Sequence, residues 1–290
     1  MSGTSDSRND ALGSRIPPFL AWAGGKNHLV KRFLPFLPPD LDRRLYREPF
    51  LGAGSLFFAV RPARAVLSDA NDHLIRCYEF VRDNPERVGA CLAQHACRSS
   101  RGYYYRIRND YNRLPFSSAQ AARFIYLNKA CFNGIFRVNR EGKFNVPYGS
   151  KSRLILPSRT LLRRASYALK RARIEVAPFE RALEDAQRGD FIYLDPPYPP
   201  LNGTSFFRHY TAVRFQVQDH ERLARCVREL DARGCLVLIS NADTSPIRRL
   251  YTGFNIASLS VTRFVTCKAT KHRIRELVIT NYRGAKWPSD

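Results

Sequence analysis

Short apolar runs, each followed by a turn or an amphipathic segment, set the pattern at the start of the chain. The stretch "REPFLGAGSLFFAV" predicts a strand, a glycine turn and the beginning of a helix, and "ARAVLSDAN" predicts a second strand that ends in Asp69. Ahead of them, the pattern from about Lys31 to Leu37 predicts a helix that Pro38 and Pro39 terminate. A strand–helix–strand order favours parallel pairing of the two strands.

The middle of the chain has a different pattern. From about residue 72 to residue 130 it is mostly helical, with aromatic residues and arginines interleaved, as in "RGYYYRIRNDYNRL". Next, Phe136 and Val138 alternate with polar neighbours, as do Phe144 and Val146, and "NREG" lies between the two pairs as a turn. This alternation predicts a β-hairpin.

Alternating strands and helices return after about Leu161. "FIYL" is typical of a buried strand, "QDHERLARCVREL" of an amphipathic helix and "CLVLIS" of another strand. "FNIASLSV" and "ELVITNY" predict two terminal strands. The pattern therefore indicates an α/β sheet domain that is interrupted by a mostly helical insertion carrying a hairpin.

The charge balance narrows the range of partners. Among 290 residues, 48 are Lys or Arg and 25 are Asp or Glu, which gives a formal net charge of +23. Such a field concentrates polyanions, so nucleic acid is the first candidate partner and an anionic membrane surface the second. The basic residues do not form one amphipathic stripe and no apolar run reaches transmembrane length, so we expect no membrane association.

The N-terminus and the cysteines bear on the compartment. "MSGTSDSRND" is polar and mixed in charge, unlike a signal peptide, and we expect residues 1–14 to form a disordered tail. The chain has 7 Cys and no C-x-x-C pair, which favours reduced thiols in the cytoplasm. Because no histidines or cysteines occur at metal-ligand spacing, we expect no metal site.

Two glycines, Gly52 and Gly54, lie between a predicted strand and a predicted helix in "PFLGAGS". They allow a tight turn and a close approach of the backbone to a ligand, although an ordinary strand–helix turn has the same pattern. Asp69 adds to the signal, because an acid at the end of the next strand can accept hydrogen bonds from both hydroxyls of a ribose. The structural alternative for Asp69 is an N-cap of the following helix.

The stretch "AWAGGK" places Trp22, a glycine pair and Lys26 ahead of a helix. A flat ring and a positively charged amine could together hold a ligand that carries a carboxylate. A loop tip with a tryptophan packed in the core explains the same residues equally well.

The stretch "YLDPPY" carries the most specific chemistry. Asp195 ends a predicted strand and can accept a hydrogen bond from an amine. Pro196 and Pro197 have no N–H group, and their rigid backbone fixes where nearby carbonyl groups point. Tyr198 offers a face on which a flat base can stack. Together these groups could grip the exocyclic amine of a base and aim its lone pair at an electrophile, whereas the structural alternative is a proline-rich loop after a strand.

Several motifs together carry a resemblance to a known family. "FLAWAGGK", "EPFLGAGS", "LSDAN", "LNKACFNGIFRVNREGKFNVPYG", "YLDPPY" and "LISNAD" follow the order of the Dam-like, D12-class DNA adenine methyltransferases. The chain resembles them from about Pro18 to Tyr282. This resemblance implies methyl transfer from S-adenosylmethionine to the N6 amine of adenine in duplex DNA. It also implies a Rossmann-like α/β catalytic domain at residues 15–71 and 159–285, with an inserted target-recognition domain at residues 72–158.

The resemblance assigns roles to residues of the cofactor and catalytic motifs. Cofactor contacts are implied for Trp22, Lys26, Phe50, Gly52, Gly54, Asp69 and Asp195. In the catalytic motif of Asp195, Pro196, Pro197 and Tyr198, the acid accepts from the target amine and the Pro196 carbonyl is a second acceptor. Tyr198 stacks on an adenine that has flipped out of the duplex, which costs about a few kcal/mol. The methyl group is transferred by direct in-line displacement, so catalysis comes from orientation and electrostatics.

The resemblance places DNA recognition in the insertion, at Phe132, Asn133, Ile135, Arg137 and Lys151. Phe132 and Asn133 match residues that enter the space left by the flipped base. Arg137 matches an arginine that reads a guanine edge, and a phosphate contact is its alternative, since most protein–DNA hydrogen bonds go to phosphate and sugar. Asn133, Ile135 and Arg137 resemble residues of relatives that methylate GATC, which predicts GATC or a near relative as the target.

The sequence departs from the family pattern at three places. Ala21 stands where many relatives carry a lysine that contacts an outer base pair, and Lys151 replaces a common tyrosine. "VTCKAT", at residues 265–270, lacks the Ser-Asn-Gly that usually precedes the last strand. These departures bear on the recognition sequence more than on the chemistry.

Three other functions are compatible with parts of the pattern. The same acid–proline–aromatic arrangement fits an exocyclic amine of RNA or of cytosine. A catalytically inactive DNA-binding regulator would share the basic charge, although its cofactor and catalytic motifs would not need to be intact. A nicotinamide dehydrogenase is disfavoured because Phe57 stands where the third Gly of a dinucleotide fingerprint would be. We expect a cytoplasmic monomer that binds double-stranded DNA.

Overall fold

The computed structural model describes residues 15–151, 153–198, 215–264 and 271–284. The predicted tail at residues 1–14 and the departure at residues 265–270 lie outside them. The described chain forms two compact units. The first comprises residues 15–30, 52–62 and 73–172, and the second comprises residues 31–51, 63–72 and 173–284.

The helices and strands alternate along much of the chain. The described helices are α1 (Val30–Phe33), α2 (Ser55–Val60), α3 (Asp72–Asp83), α4 (Pro85–Ala96), α5 (Arg101–Tyr111), α6 (Ser118–Ala130), α7 (Arg159–Leu169), α8 (Phe179–Leu183), α9 (Val217–Ala232) and α10 (Ser245–Leu250). The described strands are β1 (Leu45–Glu48), β2 (Arg64–Asp69), β3 (Ala172–Val176), β4 (Phe191–Leu194), β5 (Leu236–Ala242), β6 (Asn255–Phe264) and β7 (Lys271–Thr280).

The second unit is organised around one sheet. Its described strands hydrogen-bond in the order β3-β2-β1-β4-β5-β7-β6. Strand β1 is parallel to β2 and β4, and β4 is parallel to β5, as the strand–helix–strand pattern predicted. The two terminal strands are antiparallel, with β7 between β5 and β6. The chain is therefore a mixed α/β protein with a seven-stranded sheet, an architecture consistent with a methyltransferase.

The order of the strands reverses between β1 and β4. From β1 the chain continues outward to β2 and β3 and then returns to β4 on the other side of β1. In open α/β sheets, ligands bind outside the carboxyl ends of the parallel strands at such a reversal. The residues that follow β1 and β4 are consequently the first place to look for a site.

One face of this sheet carries an apolar core cluster of the second unit. Helix α9 places Leu223 and Val227 in that core, together with Leu194 of β4 and Ile239 of β5. A capping box starts the helix, because the side chains of Gln216 and Asp219 bond reciprocally to each other's backbone. The amphipathic pattern of "QDHERLARCVREL" thus specifies both the helix and the face that it buries.

The first unit is mainly helical, and serine residues begin three of its helices. Ser100, Ser117 and Ser158 accept hydrogen bonds from the third residue after each, at the N-termini of α5, α6 and α7. Such caps satisfy backbone N–H groups that have no partner within the helix. The prediction of a mostly helical segment from residue 72 to residue 130 is confirmed.

The predicted hairpin forms only a minimal pairing. Val138 and Phe144 make an isolated antiparallel bridge rather than a continuous ladder. Two backbone hydrogen bonds flank this bridge, from the Asn139 N–H to the Lys143 carbonyl and from the Asn145 N–H to the Arg137 carbonyl, so the backbone groups of Phe144 point away from Val138. The side-chain amide of Asn112 binds these outward groups: it accepts from the Phe144 N–H at 2.9 Å and donates to the Phe144 carbonyl at 3.0 Å. The hydroxyl of Tyr104 donates to the Val146 carbonyl at 2.8 Å. Side chains from α5 and the residue after it therefore hold the outer edge of this short arm.

The helix predicted from Lys31 to Leu37 is shorter than its pattern indicated. The α-helical part is α1, and a 3-10 turn at Leu34–Phe36 follows it directly. Pro35 lies within that turn and cannot donate a backbone hydrogen bond, which favours the tighter geometry at this point.

Candidate active site

Three residues of the predicted site follow strands of the second unit at one edge of its sheet. Phe50 comes two residues after β1, Asp69 is the last residue of β2, and Asp195 directly follows β4. Because β1 is parallel to both neighbouring strands, their carboxyl ends share this edge. The three residues are therefore brought to the edge where the strand order reverses.

Asp195 is half-buried and anchored by a hydrogen bond. Ser240, on the neighbouring strand β5, donates from its Oγ to Asp195 Oδ1 at 2.8 Å. Pro196 is buried, whereas Pro197 is exposed. An oriented carboxylate at the carboxyl edge of the sheet is an acceptor that an amine can approach.

Tyr198 is tied to strand β7 at the same edge of the sheet, since Glu276 pairs with Ala242 at the carboxyl end of β5. Its hydroxyl donates to Glu276 Oε2 at 3.3 Å, and Glu276 is completely buried on β7. The bond fixes the hydroxyl end of the tyrosine ring. It thereby limits the positions that the half-buried ring can take up.

Phe50 belongs to an aromatic group beside β1. Its ring stacks on Phe179, with ring centroids 5.5 Å apart, and meets the edge of Phe215 at 5.8 Å. Phe179 is buried in the core of the second unit, so Phe50 is held on a rigid neighbour. This group can provide an apolar wall for a flat ligand.

Asp69 has a local structural role. Its Oδ1 accepts from the backbone N–H of Asn71 at 2.9 Å, just before α3 begins, and its backbone carbonyl accepts from Ala177 at 3.2 Å. This bond closes a local turn between β2 and α3. It does not make Asp69 the N-cap of α3, because that helix begins three residues later, at Asp72. A carboxylate can accept several hydrogen bonds, so this turn is compatible with a second role in binding.

In the first unit, Trp22 and the glycine turn pack together. A Cβ atom added to Gly52 would lie 2.9 Å from Trp22 Cδ1, so a larger residue could not remain in this place without displacing the indole. Gly52 and Gly54 both have positive φ angles, +46° and +63°, which favour glycine. The hydroxyl of Tyr78 donates to the Gly52 carbonyl at 2.9 Å. The glycines are thus required by the turn and by the ring beside it.

Lys26 follows the same loop and is buried. Its Nζ donates to the Gly24 carbonyl at 2.8 Å, and the side chain is only 3% exposed. The backbone N–H of Gly25 donates to the Trp22 carbonyl at 2.9 Å, which closes the loop. Trp22 and Lys26 are therefore held by one compact turn.

The residues predicted to contact DNA lie around a 3-10 turn at Phe132–Gly134. Phe132 and Asn133 are exposed, and Ile135 is half-buried. Asn133 has a left-handed backbone with φ of +52°, a conformation that asparagine adopts more readily than most residues. The turn presents an aromatic ring and an amide to the solvent.

Arg137 is held by a residue of the opposite hairpin arm. Its Nε donates to Asn145 Oδ1 at 2.7 Å, and its Nη2 donates to the Asn145 carbonyl at 3.4 Å. A guanidinium has five N–H donors, so these two bonds orient it and leave enough donors for a base edge.

Lys151 lies beside a second lysine. Its Nζ donates to the backbone carbonyl of Lys129. Burial, together with the positive charge of Lys151, lowers the pKa of Lys129 to about 8. Two amines that repel each other at one place are suited to an anion.

The described residues contain neither a metal-binding cluster nor a membrane-spanning helix. No group of three or more His, Cys, Asp or Glu side chains in them is arranged to hold a metal ion. None of their helices combines the length and the apolar character needed to cross a membrane.

Comparison with known protein families decides the class of enzyme. The model of the D12 class N6 adenine-specific DNA methyltransferases matches residues 22–265. The chain belongs to this family. Its members act on adenine in DNA, which decides against RNA and cytosine amines as the substrate and against a dehydrogenase. The chain is therefore a methyltransferase that acts on adenine in DNA.

Individual relatives match this chain over most of its length. A type II methyltransferase of Lactococcus lactis subsp. cremoris is 38% identical, over 92% of this chain and 96% of its own. A type II methyltransferase of Methanocaldococcus jannaschii is 35% identical, over 92% and 99%. A DNA adenine methylase of Vibrio cholerae is 34% identical, over 90% and 94%.

Sequence reasoning missed the residues that support the predicted ones. Ser240 holds Asp195, Glu276 holds Tyr198, and Asn145 holds Arg137. Asn128 brackets Ala21, because its amide accepts from the Ala21 N–H at 2.8 Å and donates to the Ala21 carbonyl at 2.6 Å. Three of these four residues lie inside motifs that carried the family resemblance, namely "LISNAD", "KFNVPYG" and "LNKACFNG". Their place inside these motifs was the signal in the sequence that pointed to these three residues.

Proposed function

We propose that this methyltransferase uses S-adenosylmethionine to methylate N6 of an adenine flipped out of duplex DNA, within GATC or a near relative. The observation that supports this most is the position of Asp195. It directly follows β4 at the reversal of the strand order, and Ser240 holds its carboxylate. An acceptor at this edge is what an exocyclic amine requires.

The residues at the strand ends have the chemistry that the cofactor needs. S-adenosylmethionine supplies a methyl group activated by a positively charged sulfur. The carboxylate of Asp69 can accept from ribose hydroxyls, and Phe50 can cover a flat purine. In the first unit, Lys26 carries the positive charge that suits a carboxylate, and Trp22 with Gly52 and Gly54 forms the turn beside it. These are contacts that the family resemblance implies.

The catalytic motif acts on the target base. Asp195 accepts one hydrogen of the N6 amine and the Pro196 carbonyl accepts the other, while Tyr198 stacks on the ring. Holding both hydrogens aims the nitrogen lone pair outward for an in-line displacement. The contribution of the protein is orientation and electrostatic stabilisation, and it needs no covalent intermediate.

Residues 72–158 form the target-recognition domain in this proposal. The exposed Phe132 and Asn133 fill the space that the flipped base leaves, and Arg137 reads a guanine. Lys151 and the other basic residues bind phosphates, which the net charge of +23 supports.

A methyl-transfer assay tests the proposal. Radiolabelled S-adenosylmethionine is incubated with the enzyme and with duplex DNA containing GATC, the same duplex with a scrambled site, or RNA of equal sequence. We expect label in the first substrate alone, at N6 of the adenine. Equal labelling of scrambled DNA would remove the proposed target sequence, and absence of labelling from any DNA would contradict the choice of donor.

Replacing Asp69 by Asn separates binding from local structure. Asparagine keeps an oxygen that can accept from the Asn71 N–H, but it loses the negative charge that strengthens bonds to ribose hydroxyls. We expect cofactor affinity to fall by about 1–3 kcal/mol in calorimetry, with an unchanged melting temperature. DNA affinity without cofactor should stay the same.

Asp83→Asn is the matched control for Asp69. Asp83 is an exposed acid that pairs with Arg82 at the end of α3. The Asp83→Asn substitution should leave cofactor affinity unaltered. If Asp69→Asn also binds the cofactor normally, Asp69 serves the turn only.

Introducing lysine at Ala21 is expected to sharpen recognition of the first base pair. Asn128 fixes the backbone of Ala21 on both sides, so a longer side chain would start from a defined place. A lysine amine can donate to a guanine edge and a methyl group cannot. We expect the native enzyme to discriminate less at the first than at the third base pair, and Ala21→Lys to add about 10- to 100-fold of preference for guanine.

Turnover on duplexes carrying each base at the first position measures this effect. A substitution at Arg140, an exposed residue of the hairpin turn, provides the control for a general change in charge. Strict guanine dependence in the native enzyme, unchanged by Ala21→Lys, would mean that another residue such as Lys151 reads this pair.

A further inference from the structure

A chain of two hydroxyl groups ends on the carboxylate of Asp195. Strand β5 pairs with β4 so that Ile239 lies opposite Leu194, and β5 then continues to Ala242 while β4 has ended. The next pair in this register is Ser240 and Asp195. The longer strand therefore carries a completely buried hydroxyl to the first residue beyond the shorter one.

The direction of the hydrogen bonds follows from the chemistry of the groups. Ser240 Oγ donates to Asp195 Oδ1 at 2.8 Å, because a carboxylate only accepts. A serine has one hydroxyl hydrogen, so in its contact with the Tyr193 hydroxyl, at 3.0 Å, it must be the acceptor. Tyr193 is therefore the donor at the start of this series of hydrogen bonds, which ends on Asp195.

Tyr193 is suited to remain a donor. Burial, and secondly the negative charge of Asp195, raise the pKa of the tyrosine well above its usual value. The phenol consequently keeps its hydrogen across the pH range in which enzymes work. Its ring is 1% exposed and lies near Phe33, with ring centroids 6.2 Å apart, so it has little freedom to turn away.

We propose that Ser240 is a positioning residue for methyl transfer: it fixes the Asp195 carboxylate at the angle needed to receive the target amine, and Tyr193 orients Ser240. This inference rests on the proposed role of Asp195. Pro196 restrains the backbone after the acid, but the side-chain torsion of Asp195 needs a restraint of its own. Ser240 touches neither the cofactor nor the base in this arrangement and acts only through the acid.

Steady-state kinetics of Ser240→Ala tests the inference. Loss of a hydrogen bond to a charged group should lower kcat by about 10- to 100-fold. The Kd for S-adenosylmethionine and the KM for DNA should stay within about threefold, since neither ligand contacts Ser240 in this proposal. Tyr193→Phe removes a single oxygen one step further away and should lower kcat by about three- to tenfold.

Two further variants separate positioning from packing. Ser240→Cys fills nearly the same volume with a much weaker donor, so its kcat should stay close to that of Ser240→Ala. Recovery of normal kcat in Ser240→Cys would overturn the inference in favour of packing. Ser258→Ala removes a serine-to-aspartate bond of 2.9 Å, to Asp243, at an exposed place, and should leave kcat unchanged.

Asp195→Ala distinguishes failure of this inference from failure of the proposed function. If Asp195→Ala is slow while Ser240→Ala and Tyr193→Phe turn over normally, only the positioning role is wrong. If Asp195→Ala itself turns over normally, the proposed catalytic role of the acid is wrong and the inference falls with it. Thermal unfolding curves, monitored by circular dichroism, establish that each variant is folded at the assay temperature.

Discussion

Replacing Asp195 by Ala is expected to lower the rate of methyl transfer by at least about 100-fold while cofactor affinity stays within about a few-fold. The acid holds the target amine in the proposed mechanism, and that contact matters most when the nitrogen begins to bond to the methyl carbon. Single-turnover measurements with excess enzyme give the rate, and calorimetry gives the affinity. A variant with near-normal turnover would remove Asp195 from the mechanism.

Asp195→Asn refines this experiment. Asparagine retains a carbonyl oxygen that can accept from Ser240, but its amide can present two hydrogens to an amine that also carries two. We expect it to be nearly as slow as alanine. Asp231→Asn is a suitable control, because Asp231 is an acid of α9 that bonds to Asn281 and has no role in the proposed site.

Replacing Arg137 by Ala should relax the sequence preference at one base pair by about 1–3 kcal/mol, or roughly 10- to 100-fold. The structure supplies a reason to expect a specific contact, because Asn145 orients the guanidinium through Nε and Nη2. Binding is measured on a set of duplexes with each base pair of the site substituted, at several salt concentrations. The number of counterions released on binding, given by the slope of log affinity against log salt, should change by at most about one, because it depends on the phosphate contacts.

Arg140→Ala is the matched control for Arg137. Arg140 is exposed in the turn of the same hairpin, and its loss removes one positive charge without the bond to Asn145. It should weaken binding to all sequences alike or have no effect. If Arg137→Ala also weakens binding equally across the whole set, Arg137 contacts a phosphate.

The sequence alone determined the elements of the sheet and the residues at its edge. Apolar runs in "FIYL" and "CLVLIS" became the buried strands β4 and β5, because such runs leave no polar face for the solvent. The glycines of "PFLGAGS" predicted a turn, and the positive φ angles of Gly52 and Gly54 confirm it. The acids Asp69 and Asp195 stand at the strand ends where the pattern placed them.

The tertiary structure alone decided how the hairpin is paired. Alternation at Phe136, Val138, Phe144 and Val146 predicted two facing strands, but one bridge forms. Asn112 lies 32 residues before Phe144 and binds both of its backbone groups. Local alternation reports which side chains face inward, and it carries no information about how far the ladder extends or about a distant amide that binds the outer edge of one arm.

The partners of the site residues were also decided only by the fold. Ser240 is 45 residues from Asp195 and Asn128 is 107 residues from Ala21, so no local spacing links either pair. The register of β4 against β5 brings the first pair together, and the packing of the first unit brings the second. A sequence names the groups that can do the chemistry because their types and positions along the chain are local properties. The angles at which those groups are held depend on hydrogen bonds between residues that only the folded chain makes neighbours.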